Sequence, residues 1–225
     1  MALALALTLR SDTTFGRGDG VAGLVDAEVE HDAATGLPQL NGRTLKGLLV
    51  DECSNLLFAA ESAAPAATGR LSDAAVFLFG SPGSAVGETA RLHVGPALLP
   101  DELRTAVLAD VRARRLSPAQ VLESLTSIRR QTAVSPTTGA PARNSLRSVR
   151  VILREVTFTA RLEFLDPPDT LTLAVLAAST LCLRRLGLGR NRGRGRVQAR
   201  LVDAREDVTW ERSAPLRSLL QGGAA

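Results

Sequence analysis

No tyrosine occurs in this chain of 225 residues, and one tryptophan and six phenylalanines bring the aromatics to only 3%. So few rings leave no pair placed on a strand to stack nucleobases, the device of an ordinary RNA-recognition module. Cysteine is nearly as scarce: Cys53 and Cys182 stand far apart, with no Cys-x-x-Cys or Cys/His ligand spacing. That argues against a zinc site or a disulfide scaffold and predicts a reducing, cytoplasmic compartment. Long hydrophobic runs are missing as well, since the most apolar stretches, 1–9 and 171–183, fall short of the roughly 18–20 residues that a bilayer demands. The first of them lacks a cationic n-region and a cleavage-like site, so it is expected to be a strand and not a signal peptide. Lysine is reduced to Lys46, and the basic side of the chain is otherwise arginine.

What is present is an ordinary globular balance, with 45% hydrophobic and 22% charged residues and a formal net charge of +4. A chain of this size is expected to bury roughly 70% of its unfolded surface without a metal or disulfide staple, as a single domain over 1–225. Leu3, Leu5, Leu7 and Leu9 alternate along a strand over 2–10. Residues 11–23 hold too many glycines for regular structure. Over 25–30, Asp26, Glu28 and Glu30 share one face of a short strand and Val25, Ala27 and Val29 the other, before a turn at 32–36. Leu45, Leu48, Leu49, Cys53, Leu56, Leu57 and Ala60 recur at three- and four-residue steps, which predicts a helix over 43–60 capped at Asn41-Gly42. An Ala/Ser/Pro loop at 61–69 follows, then Val76 to Phe79 closing at Gly80-Ser81-Pro82-Gly83.

Further on, 91–99 reads as a strand, Pro100-Asp101-Glu102 opens a helix to about 116, and Ser117-Pro118 restarts a helical turn. Residues 129–150 combine arginines with two prolines and no acid, the composition of an exposed basic loop. A strand over 151–165, with Phe158, Ala160, Leu162 and Phe164 on one side, precedes a last helix over 169–186 and a last strand over 196–203. That order predicts an α+β fold with a ferredoxin-like β-α-β-β-α-β core, carrying insertions at about 11–42 and 100–148.

Two segments hold the chemistry. Residues 186–196, with Arg184, Arg185 and Arg200, bring together seven arginines and four glycines without an acid. Glycine lets the backbone approach a polyanion, and Arg190, Arg192 and Arg194 offer planar forks to phosphate oxygens beside Gly187, Gly189 and Gly193. A dinucleotide-binding fingerprint must follow a strand and open a helix, whereas these glycines follow a helix and precede a strand. The second segment, 36–47, leads into a helix whose first turn carries Arg43 and Lys46, where free N–H groups and the helix dipole favour anions. It lacks the spacing of a Walker motif. His31 and His93 are isolated, and Arg17-Gly18-Asp19 reads as chance.

Together these segments resemble the RAMP superfamily of CRISPR-associated proteins, and within it the small guide-RNA-binding backbone subunits of type III effector complexes. The resemblance rests on the first strand followed by Thr14-Phe15-Gly16-Arg17-Gly18, on Gly36-Leu37-Pro38 through Leu45-Lys46-Gly47, on Leu78-Phe79-Gly80-Ser81, and on the Gly/Arg loop. The family's usual Pro-Gly is Asn41-Gly42 here, and a frequent loop histidine is Thr14. The resemblance implies a modified RNA-recognition-like fold in an antiviral ribonucleoprotein, with copies stacked along a guide RNA that pairs with a target RNA. Its partners would be guide and target RNA, other copies of the chain and other effector subunits, with no membrane. The basic loop sits where those subunits carry a thumb, which brings Arg129 and Arg130 to the RNA.

In the ribonuclease members, an acid between the first strand and first helix supports metal-dependent cleavage. Counting back from Gly36-Leu37-Pro38 places Asp26 there, as catalytic residue and ligand of a divalent ion such as Mg2+, with Asp12 and Asp19 as rivals. The plain alternative leaves Asp26 on the wet face of a short strand, in an architectural RNA-binding subunit without nuclease activity. A ferredoxin-like enzyme for a phosphorylated small molecule is a third reading, one that leaves the basic loop unexplained.

Overall fold

Leucine at every second position gives β1 (Leu3–Leu9) one fully buried side, while Ala4, Ala6 and Thr8 face the other way. The computed structural model describes residues 3–81 and 89–222, so Met1, Ala2 and the Pro82-Gly83 part of the expected turn lie outside the described residues. After β1 come α1 (Gly42–Ala63), α2 (Thr68–Phe79), β2 (Leu92–Leu98), α3 (Asp101–Arg112) and α4 (Pro118–Leu125). The chain continues through β3 (Thr126–Gln131), β4 (Arg147–Ile152), β5 (Thr157–Phe164), α5 (Thr170–Cys182), β6 (Val197–Asp203), β7 (Glu206–Asp207) and α6 (Thr209–Gly222).

The main sheet runs β2-β5-β1-β6-β7 and is antiparallel throughout. With α1 joining β1 to β2 and α5 joining β5 to β6, this is the ferredoxin-like order that the element sequence predicts. Register follows burial: Leu5 stands opposite Ala160 and Leu201, and Leu7 opposite Phe158 and Ala199, all of them buried. A one-residue slip would turn these rows toward water, which pins the pairing. Phe15, from the loop after β1, meets Phe158 edge to face at 5.2 Å. Helices cover this side of the sheet, with α5 packed against α1, α2, α6 and β6 and buried from Thr172 to Thr180. The hydroxyls of Ser179 and Thr180 donate to carbonyls one turn back, at 2.8 and 2.9 Å, so their burial leaves no unpaired polar group.

The opposite face of the sheet is open. Ala4, Ala6, Thr8, Thr157 and Thr159 line its centre, so β1 and β5 place no ring there for a base to stack on.

Several elements differ from the sequence-based expectation. Little of the expected loop at 61–69 remains, because α1 runs on to Ala63, a 3-10 turn spans Pro65–Ala67 and α2 starts at Thr68, where alanine's high helix propensity and the buried face of Leu71, Ala74 and Leu78 favour helix. The expected strand over 151–165 is two strands, broken by a turn in which Glu155 takes φ 69°. The basic segment 129–150 is not wholly loop, since β3 and β4 pair as a two-stranded ribbon from Thr126–Ile152 to Gln131–Arg147. The acidic segment 25–30 forms only isolated bridges, and Glu28 is buried where an exposed acidic face was expected. α5 ends at Cys182 and is not the last helix, because α6 follows with Pro215 inside it. Among the described residues no helix is long and apolar enough to cross a membrane.

Candidate nucleic-acid interface

Residues 183–196 connect α5 to β6 in a folded loop, and their glycines permit its turns. Gly187 takes φ 79° and Gly195 φ 73°, and a Cβ would lie 2.5 Å from the Thr14 carbonyl oxygen at the first and 2.1 Å from that of Leu186 at the second. The loop is stitched to the segment after β1: Leu188 N–H donates to Thr14 at 2.9 Å, and Gly195 N–H to Asp12 at 3.0 Å. Within it, Arg185 donates to the Arg190 carbonyl at 2.8 Å. Gly195→Ala combines a left-handed backbone cost of about 1–2 kcal/mol with a backbone clash. We expect a thermal midpoint several degrees lower, read by circular dichroism, and an unchanged midpoint would show that the loop closes another way.

Beside this loop runs a groove of about 750 Å³, lined by Gly187, Gly189, Arg190, Arg192 and Arg194 on one side and by Asp26, Gln131 and Arg147 on the other. Arg194 donates to Gln131 across it. Asp26 is held by a reciprocal clamp on β4: its N–H donates to the Ser148 carbonyl at 2.8 Å, and its Oδ2 accepts from Ser148 N–H at 2.7 Å. Asp26 is exposed and shares the groove lining with Arg147, Arg190, Arg192 and Arg194. Arg147 and Gln131 belong to the groove and were missed in the sequence, where Arg147 was one arginine among several in a presumed loop.

A buried ion pair underlies the groove. Arg150 Nε lies 2.8 Å from Glu28 Oε1, with side chains 8% and 3% exposed. The Nε–H is not aligned along that line, so the contact is an ion pair and not a linear hydrogen bond. Arg150 also donates to the Thr126 hydroxyl at 3.3 Å, and its backbone N–H to the Ala27 carbonyl at 3.0 Å. The segment carrying Asp26 is thereby fastened to β4.

The other predicted residues lie elsewhere. Arg129 donates Nε and Nη2 to Asp12 Oδ2 at 2.9 and 2.7 Å, which occupies both partners. Asp19 is likewise taken by Arg17 at 2.7 Å, and this pairing holds its carboxyl below the usual range. Arg130 is exposed and borders a separate cleft with Gly23 and Leu24. Arg43 and Lys46 are not brought into the groove: Gly42 rests on the backbone of Val94 and Gly95 in β2, at the opposite edge of the sheet from β6. Arg43 is exposed, whereas Lys46 is half-buried, and this burial pushes its ammonium pKa down. Gly193 stands at the loop tip with φ 77°.

Among the described residues no group of three or more His, Cys, Asp or Glu is placed to hold a metal ion. Asp26 offers one carboxylate with one oxygen already engaged. That donor set suits an ion such as Mg2+, which keeps several waters and binds through one or two carboxylates plus substrate phosphates. It does not suit an ion that needs a cage built from protein alone.

A cleft of about 920 Å³ covers the open face of the sheet. Its charges largely pair with one another, Asp101 with Arg161 at 3.7 Å and Glu102 with Arg205 at 3.9 Å, so it has no surplus of positive charge for a polyanion. The Gly/Arg groove is the better candidate.

A ferredoxin-like core bearing a basic, glycine-hinged loop at the entry to its last long strand defines the class. Solved structures share this fold. The chain is similar to a chain of the Type III-B Cmr-beta complex in its apo state, with a TM-score of 0.62 at 13% identity, covering 92% of this chain and 99% of that one. It is similar also to a chain of the Type III-B Cmr-beta complex bound to cognate target RNA, with a TM-score of 0.60 at 12% identity and coverage of 89% and 97%. No protein-family model and no curated protein matches the sequence.

Proposed function

We propose that the chain is a guide-RNA-binding backbone subunit of a type III-like CRISPR antiviral ribonucleoprotein, and that it cleaves complementary target RNA in a reaction dependent on a divalent metal ion. The observation that carries this reading is the groove that sets one exposed carboxylate, Asp26, among Arg147, Arg190, Arg192 and Arg194. An acid in a groove built for phosphates would repel RNA unless a cation or a proton transfer gave it work to do. The fold shared with Type III-B Cmr-beta chains, one of them in a complex bound to target RNA, supports RNA and other effector subunits as partners.

In this reading the arginines of the loop hold phosphate oxygens and fix the strand without reading its sequence. A bound divalent ion would offset the charge that develops on the scissile phosphate. The free oxygen of Asp26 would orient the attacking ribose hydroxyl, while the Ser148 clamp on the other oxygen fixes the carboxylate at the groove lining.

The same clamp favours a second reading, an architectural RNA-binding subunit in which Asp26 only ties the loop to β4. Asp26→Asn separates the two, because the amide oxygen still accepts from Ser148 N–H while the charge is lost. We expect cleavage of guide-complementary RNA by the assembled complex in magnesium to fall at least about a hundredfold. Guide and target binding should change little. Equal cleavage by both forms would move the role to Asp12 or Asp19, and no cleavage by either would establish the architectural reading.

A further inference from the structure

The chain's single tryptophan, Trp210, stands in the first turn of α6 with 65% of its surface exposed. The Arg217 guanidinium lies 3.5 Å from the ring centroid and donates Nη2 to the Trp210 carbonyl at 3.1 Å. A cation stacked so closely covers one face of the indole, so the exposed area belongs to the other face and the rim.

Trp210 lines a cleft of about 290 Å³ with Leu181, Arg184, Gln198 and Arg200. Leu181 is 41% exposed there. Arg200 is paired with Asp207 at 3.3 Å, which leaves Arg184 as the unspent charge among the cleft residues. Arg184 also begins the Gly/Arg loop, and its carbonyl accepts from Val197 N–H at 3.0 Å where the loop closes. One loop therefore has its stem in this cleft and its tip in the groove of Asp26. An apolar ring face beside a cation, continuous with a basic loop, matches a nucleobase and its phosphate better than a protein surface, which would need the arginines paired or desolvated.

We propose that Trp210 is a base-stacking site: a base of single-stranded RNA lies on the free face of the indole, and Arg184 contacts a neighbouring phosphate, as the strand passes onto the Gly/Arg loop. This rests on the RNA-binding reading above. It adds the one aromatic platform of the interface, on a helix and not on the sheet.

Because the chain has one tryptophan, its fluorescence reports on this site alone. A short oligouridylate should quench it saturably, whereas an abasic oligomer of the same length should not. Trp210→Ala should weaken binding of fluorescein-labelled oligouridylate about tenfold by anisotropy, and Trp210→Phe should restore most of it. If wild-type fluorescence stays unquenched while oligouridylate binds, or if Trp210→Ala binds as tightly as wild type, the stacking site is overturned and the RNA-binding reading stands. If neither oligomer binds wild type, both are overturned. A changed oligomeric state in Trp210→Ala with RNA affinity intact would assign the face to a protein and overturn the proposal. Should Trp210→Ala fail to fold, the two wild-type titrations decide.

Discussion

Arg150→Met should lower the stability of this protein by about 3–5 kcal/mol, the cost of leaving a buried charge without its partner. Water screens little of the attraction in this pair, because Glu28 and Arg150 are 3% and 8% exposed. Glu28 would keep the N–H of Val29, which donates to its Oε1 at 2.8 Å, but would lose its countercharge. For a chain of this length the loss corresponds to a fall of roughly 10 °C in thermal midpoint. The double variant Glu28→Gln with Arg150→Met should recover part of it, because the neutral amide removes the unpaired charge while its oxygen still accepts from Val29 N–H. A midpoint within about 2 °C of wild type for Arg150→Met would mean that the pair is not buried in solution. The effect should reach the candidate site as well, since the Arg150 side chain pairs with Glu28, two residues from Asp26, and so holds that segment on β4.

Replacing Arg190, Arg192 and Arg194 together by glutamine should produce the largest change in RNA binding. Each phosphate contact on a single strand contributes about 0.7 to the slope of log affinity against log salt, so three lost contacts should flatten it by about 2. At low salt the affinity should fall at least tenfold. The fold should survive, because Arg190 and Arg192 are exposed and the glycines that shape the loop are untouched. Arg194 is half-buried and gives up its contact with Gln131, a small cost beside the loss of charge. Anisotropy of a labelled single-stranded RNA over a salt series measures both quantities. Wild-type affinity and slope in the triple variant would remove the Gly/Arg loop from the interface.

The candidate site was partly legible in the sequence. The Gly/Arg loop stands out by composition, because glycines between arginines permit a tight basic turn, and Gly187, Gly189, Gly193 and Gly195 all take positive φ there. Asp26 was indicated only by a resemblance. Its clamp to Ser148, 122 positions away, and its place across the groove from Arg190 have no local signature. Glu28 was misassigned for the same reason: a period-two pattern groups it with Asp26 and Glu30, but the partner that draws it inward, Arg150, lies on another element. Arg129 is expected at the RNA only through the resemblance, and its ion pair with Asp12, 117 positions away, has no local signature either. Trp210 lay beyond the last element expected, in a helix whose interior proline argues against helix on local grounds.

The sequence by itself determined the faces of the strands, the order β-α-β-β-α-β and the basic loop before β6. Those features follow from periodicities of 2 and 3.6 and from glycine and arginine chemistry, all of which act between neighbours in the chain. The tertiary structure alone decided which acid would be buried, which arginines would be neutralised, and which would share a groove with Asp26. Burial and pairing depend on what another segment brings to the same place, and an ionised group surrenders its hydration only where that segment supplies an opposite charge.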